Sequence, residues 1–100
     1  MDTKSEEFIS AARKIFKKCF KGCTSAERIG KDVMLPEDDR GQWSPKSIMV
    51  VYTEDGIPDR FDYPSWDKNW VKVENELSAL LGKNVYFESV NSAVQALYWG

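Results

Sequence analysis

Ser47-Ile48-Met49-Val50-Val51-Tyr52 is the stretch on which the fold class turns. It is apolar, partly β-branched and too short for a helix, so it reads as a strand. Thr53-Glu54-Asp55-Gly56-Ile57-Pro58 follows as turn chemistry, with Asp55-Gly56 its strongest element. Asp59, Phe61 and Tyr63 then alternate with Arg60 and Asp62, which is the period of a returning strand. Pro58 and Pro64 bracket that strand and suit the edge of a sheet. The expectation is a β-hairpin over 47–63.

Helices flank it on both sides. Over 3–22, Phe8, Ala12, Ile15, Phe16 and Cys19 recur at helical spacing, with Cys23 next in the same stripe. Thr3 and Glu6 have capping-box spacing, and Ser5 is a rival cap. Glu6 and Glu7 come early and the lysines late, which matches the helix dipole. Over 65–81 a second stripe runs Trp66, Trp70, Val73, Leu77, Leu80 and Leu81, with Ser65 as cap and Gly82 as stop. Val85-Tyr86-Phe87 marks a third strand over 83–89. Segment 91–99 fits a short helix through Val90, Val94, Leu97 and Tyr98, and a strand through Val94, Ala96 and Tyr98; the helix, capped by Asn91 or Ser92, is preferred. Between the first helix and Lys46, Pro36, Glu37-Asp38-Asp39 and Gly41 read as a polar loop. The fold class is therefore α+β in a single domain over 1–100. Two amphipathic helices bury their stripes on a small, mainly antiparallel sheet.

Composition narrows the chemistry. The 100 residues contain no histidine, while four Trp, four Tyr and five Phe are present. Imidazole acid–base pairs, histidine triads and histidine-bearing zinc sites are thereby excluded. The two cysteines, Cys19 and Cys23, are too few for a zinc site and read as reduced structural thiols. No glycine-rich phosphate loop or nucleophile motif is present, so the reading is non-enzymatic, with no cofactor and no metal. The net charge of −2 argues against a general nucleic-acid binder. No apolar run reaches the roughly 20 residues of a membrane span, and the polar N-terminus is unlike a secretory signal. A cytoplasmic location is expected.

Four residue groups are candidates for function. Glu54, Asp55, Asp59, Asp62 and Asp67 outnumber Arg60 and Lys68, with Phe61, Tyr63, Trp66 and Trp70 interleaved. Asp55, Asp59, Asp62, Tyr63, Trp66 and Asp67 would form an acidic, aromatic surface for a partner's basic site, charge steering the encounter and rings supplying affinity. The same acids could serve only to keep an edge strand solvated. The second group, Arg13, Lys14, Lys17, Lys18 and Lys21, forms a basic helix face that could touch phosphate, or could be an ordinary solvated face. The paired acids Asp38-Asp39, Asp59/Asp62 and Glu74/Glu76 lack catalytic or calcium-loop spacing, and Glu74 and Glu76 lie on different sides of a helix. Glu88, Ser89 and Asn91 are read as capping the terminal helix.

The function expected from these residues is binding of another protein that carries a basic surface. By analogy of size and composition, the chain suits a stoichiometric inhibitor. Toxin-neutralising immunity proteins and phage- or plasmid-encoded anti-defence proteins are of this kind. A nucleic-acid-associated regulator using the Lys-rich helix is one alternative. A self-associating domain, a homodimer with Trp66 and Trp70 in its seam, is the other.

Overall fold

The structure is a computed structural model. It describes residues 2–3, 5–21, 33–34, 46–53, 57–58, 60, 64–91 and 94–100; the side chains of residues 33, 34, 64–66 and 91 lie outside the description. The element order is α1 (Glu6–Cys19), β1 (Val33–Met34), β2 (Met49–Tyr52), α2 (Pro64–Leu81), β3 (Val85–Asn91) and β4 (Val94–Trp99). The architecture is α+β, as expected. The sheet runs β1-β2-β4-β3 and every neighbouring pair is antiparallel.

Ser5, rather than Thr3, caps α1. Its backbone is extended, and its Oγ accepts the Phe8 N–H at 3.1 Å while donating to the Asp2 carbonyl at 2.7 Å. The helix is shorter than the expected 3–22. Its buried face is Phe8, Ile9, Ala12 and Phe16, while Ile15 and Cys19 are only partly buried. The stripe is thus turned toward Ile9, and Phe20, just past the last turn, is wholly buried. α2 begins at Pro64, whose missing N–H costs nothing in a first turn. It ends at Gly82, which takes a φ of +72° and donates its N–H to the Ser78 carbonyl at 2.9 Å. A side chain there would meet no neighbour, so glycine is required by backbone conformation alone.

Two expectations are corrected. Segment 94–99 is a strand, not a helix, and it lies in the middle of the sheet. It pairs antiparallel with β3, the register shifting at a bulge between Ser89 and Asn91. Glu88, Ser89 and Asn91 therefore belong to β3 rather than to a helix start. The expected hairpin over 47–63 is not how β2 pairs. Val50 and Val51 have β1 on one side and β4 on the other, so both edges are taken. Of the expected returning strand 59–63 only Arg60 is described, and it lies in a turn.

Both helices pack on one face of the sheet. There Met49, Val51, Val85, Phe87 and Leu97 meet Phe8, Phe16, Phe20, Trp70, Val73 and Leu77 in one cluster. Trp70 is its hub. Its ring stands edge-on to Phe16 and Phe20, both at 5.4 Å, and to Phe87 at 5.0 Å. The opposite face holds a smaller cluster of Val50, Val94 and Ala96, with Tyr52, Val90 and Tyr98 against it. Alternation along β4 sends successive side chains to the two clusters.

Candidate functional site

The expected acidic surface falls largely outside the described residues: Asp55, Asp59, Asp62 and Tyr63 all do. Trp66 lies in the first turn of α2, with its side chain outside the description. Asp67 is one residue further on and half-exposed. Of the two bases set against these acids, Lys68 is exposed and Arg60 is not. Its side chain is 19% exposed and is turned inward rather than toward solvent. Nη1 donates to the Phe87 carbonyl at 2.7 Å, and the guanidinium stands 4.0 Å from carboxylate oxygens of both Asp67 and Glu74.

This contact belongs to a larger arrangement on the outer edge of β3. The Phe87 N–H donates to Glu74 Oε2 at 2.7 Å, and the Val85 N–H donates to Ser78 Oγ at 3.1 Å. In an antiparallel ladder, alternate residues turn both backbone groups away from the neighbour. Val85 and Phe87 are such residues in β3, and α2 meets them at the proper interval. Residues four apart on a helix rise about 6 Å, and residues two apart on a strand about 6.7 Å. Because α2 and β3 run in opposite senses, Ser78 meets Val85 and Glu74 meets Phe87. Core-facing Trp70, Val73 and Leu77 hold the helix over the sheet while Glu74 and Ser78 reach over its rim.

On the far side of α2, Glu76 reaches α1. Lys18 Nζ lies 2.6 Å from Glu76 Oε1, and the Cys19 thiol donates to Oε2 at 3.3 Å. Glu74 and Glu76 thus serve different neighbours, as their positions on the helix require. Hydrogen bonds from Lys18 and then Cys19 hold the Glu76 carboxyl below its usual range. Burial, followed by the bond to Glu76 and its charge, pushes the Cys19 thiol up to about 11. At neutral pH that leaves about 100-fold less thiolate than an unperturbed cysteine has. A more basic thiolate is also more nucleophilic, which offsets about half of that loss on a logarithmic scale. In a Cys23→Ser variant, iodoacetamide should therefore modify Cys19 about ten-fold more slowly than a free thiol, and Glu76→Gln should speed the reaction. Modification at the free-thiol rate would contradict this environment. Cys23 itself is outside the described residues.

The basic face is less uniform than its sequence suggests. Lys14 and Lys17 are exposed, Arg13 is half-buried, and Lys18 is paired to Glu76. Lys21 is exposed just beyond the helix. The seam suggested for a homodimer is also altered, because Trp70 is wholly buried and unavailable to a surface. Exposed rings occur elsewhere, at one end of the β3–β4 hairpin. Tyr86 stacks obliquely 5.9 Å from Tyr98, and Trp99 lies under the Lys83 ammonium at 5.7 Å.

Arg60, Glu74 and Ser78 were not singled out as a unit by sequence reasoning. The four-residue spacing of Glu74 and Ser78 is visible in the sequence, but its meaning depends on β3 lying under that side of the helix. Among the described residues, no group of three His, Cys, Asp or Glu is placed to hold a metal ion. No helix among them is long and apolar enough to cross a membrane. No protein-family model, curated protein or solved structure matches the chain.

Proposed function

We propose that this protein works by binding another protein, as a small stoichiometric inhibitor that masks a basic site on its target. The observation that carries the reading is the charge balance of residues 54–70. Between residues 54 and 70 only Arg60 and Lys68 are basic, against five acids. Arg60 donates to the Phe87 carbonyl and stands 4.0 Å from both Asp67 and Glu74. Lys68 then remains as the exposed base of the segment. An excess of five acids over two bases suits electrostatic steering toward a basic partner. Immunity proteins and anti-defence proteins are the classes whose size and composition fit, and the target would present an active site or nucleic-acid channel rich in Lys and Arg. The cytoplasm is the compartment proposed for this encounter.

The alternatives draw less support. A phosphate-binding role for α1 must contend with the pairing of Lys18 to Glu76. A homodimer seam through Trp66 and Trp70 loses Trp70 to the core.

The test begins with an affinity pull-down using the intact protein and identification of the captured partner by mass spectrometry. Association is then followed at rising salt for the wild type and for Asp59→Lys/Asp62→Lys. The double reversal should slow association at low salt by about ten-fold or more and leave dissociation nearly unchanged. Unchanged affinity together with unchanged salt dependence would move the interface away from this segment.

A further inference from the structure

The connection between β2 and α2 carries three acids of the proposed surface, Asp55, Asp59 and Asp62. Interleaved with them are Ile57 and Arg60, and both are fastened to the body of the fold. Ile57 is wholly buried in the cluster that holds Phe16 and Trp70. The Arg60 guanidinium donates to the Phe87 carbonyl at 2.7 Å and stands 4.0 Å from Asp67 and from Glu74. Glu74 is itself fixed, because it accepts the Phe87 N–H at 2.7 Å. An arginine side chain only 19% exposed, bonded to a carbonyl and flanked by two carboxylates, is costly to release. These two fixed points constrain the acids through covalent geometry alone. Neighbouring Cα atoms are about 3.8 Å apart, so the Cα of Asp59 lies next to that of Arg60. Those of Asp55 and Asp62 lie within about 7 Å of a fastened residue.

We infer that Arg60 is a positioning residue for the acidic surface: with Ile57, it sets the place of Asp59 and Asp62 relative to Asp67 before a basic partner arrives. This role rests on the reading of that surface as a binding site. Arg60 acts on such a partner in two opposite ways. Its charge repels a basic surface, so losing it strengthens the attraction. Its contacts order the acids in advance, so losing it leaves that ordering to the moment of binding. The second effect is the larger. One charge about 8 Å away in water changes affinity about two-fold at low salt. Fixing the backbone of a single residue in advance is worth about five-fold or more. Lys68 supplies the comparison, since it is the other base of the segment, is exposed, and follows Asp67 on α2. Counter-charge alone would give both bases the same effect; positioning gives them opposite signs.

The probe is a helical alanine–lysine peptide of about 20 residues with its lysines along one face, which presents a stiff basic surface. Its binding to the full-length wild type, Lys68→Met and Arg60→Met is followed by fluorescence anisotropy and stopped flow, at about 10 mM salt and above. Each variant removes one positive charge from a chain of net charge −2. Lys68→Met should bind about two-fold tighter than wild type. Arg60→Met should bind about five-fold more weakly, through faster dissociation. Partial unfolding does not imitate this, because it lowers the number of competent molecules without hastening release. An Arg60→Met variant that binds as tightly as wild type, or tighter, would overturn the inference. So would a loss confined to the amplitude of binding. Failure of the underlying reading looks different and takes the positioning role with it. The peptide then fails to bind wild type, binds it with no salt dependence, or binds Asp59→Lys/Asp62→Lys just as tightly. If Arg60→Met does not fold, Arg60→Gln replaces it, removing the same charge and leaving a shorter amide; the expected and overturning results are unchanged.

Discussion

Replacing Phe16 with alanine is expected to destabilise the protein by about 3–5 kcal/mol. Phe16 is wholly buried, and its ring lies 5.4 Å from Trp70, 5.8 Å from Phe87 and 6.0 Å from Phe20. It therefore connects α1 to both α2 and β3, and its loss opens a cavity at the meeting point of all three. For a domain of this size the unfolding midpoint should fall on the order of 15–30 °C. Trp70→Phe makes an informative contrast. The Trp70 Nε1–H is buried and has no hydrogen-bond partner among the described residues. Phenylalanine removes that unsatisfied donor while keeping an aromatic ring, so the loss of packing is partly offset. Its cost should stay below about 2 kcal/mol. Equal costs for the two variants, read from urea midpoints, would mean that Phe16 is not at the centre of the core.

The two helices were legible because a 3.6-residue stripe reports directly which side is buried. Trp70, Val73 and Leu77 were placed correctly by spacing alone, and Gly82 marked the end of α2 as its φ of +72° requires. Spacing said less about the rotation of α1, where Ile9 and Phe20 are buried and Cys19 is at the margin. The sheet was harder to read. Asp55-Gly56 is a strong local turn signal, yet β2 pairs with β4, which is separated from it by a helix and another strand. Local chemistry cannot select so distant a partner. Val94 and Tyr98 satisfied both periods, and what separates them is the burial of Gln95. That residue sits in register between Val51 and Ser89, and its amide donates to the Ser89 hydroxyl. A polar residue held in the middle of a sheet carries no periodic signal. Of the candidate site, the excess of acids was plain in the sequence, but the inward turn of Arg60 was not. It depends on a contact spanning 27 residues.

Removing the Glu74 carboxylate should be the most damaging change outside the aromatic core. A surface glutamate on an amphipathic helix normally matters by less than about 0.5 kcal/mol. Glu74 differs because it accepts a backbone N–H from Phe87, itself buried, and stands beside the Arg60 guanidinium. Glu74→Ala would leave the Phe87 N–H unsatisfied at the edge of the core. It would also take one carboxylate from Arg60, with Asp67 the other among the described residues. Hydrogen bonds to charged groups contribute about 1.5–3 kcal/mol, so a loss of about 2–3 kcal/mol is expected. Glu74→Gln keeps the acceptor and forfeits only the charge, and should cost about 1 kcal/mol. A double-mutant cycle with Arg60→Met separates the two contributions. If Arg60 and Glu74 act together on Phe87, the single losses should exceed the double by about 0.5–3 kcal/mol. Strict additivity would mean that each side chain holds its own backbone group independently. A Glu74→Ala variant as stable as the wild type would mean that β3 is satisfied by solvent, and that α2 is fixed over the sheet by Trp70, Val73 and Leu77 alone.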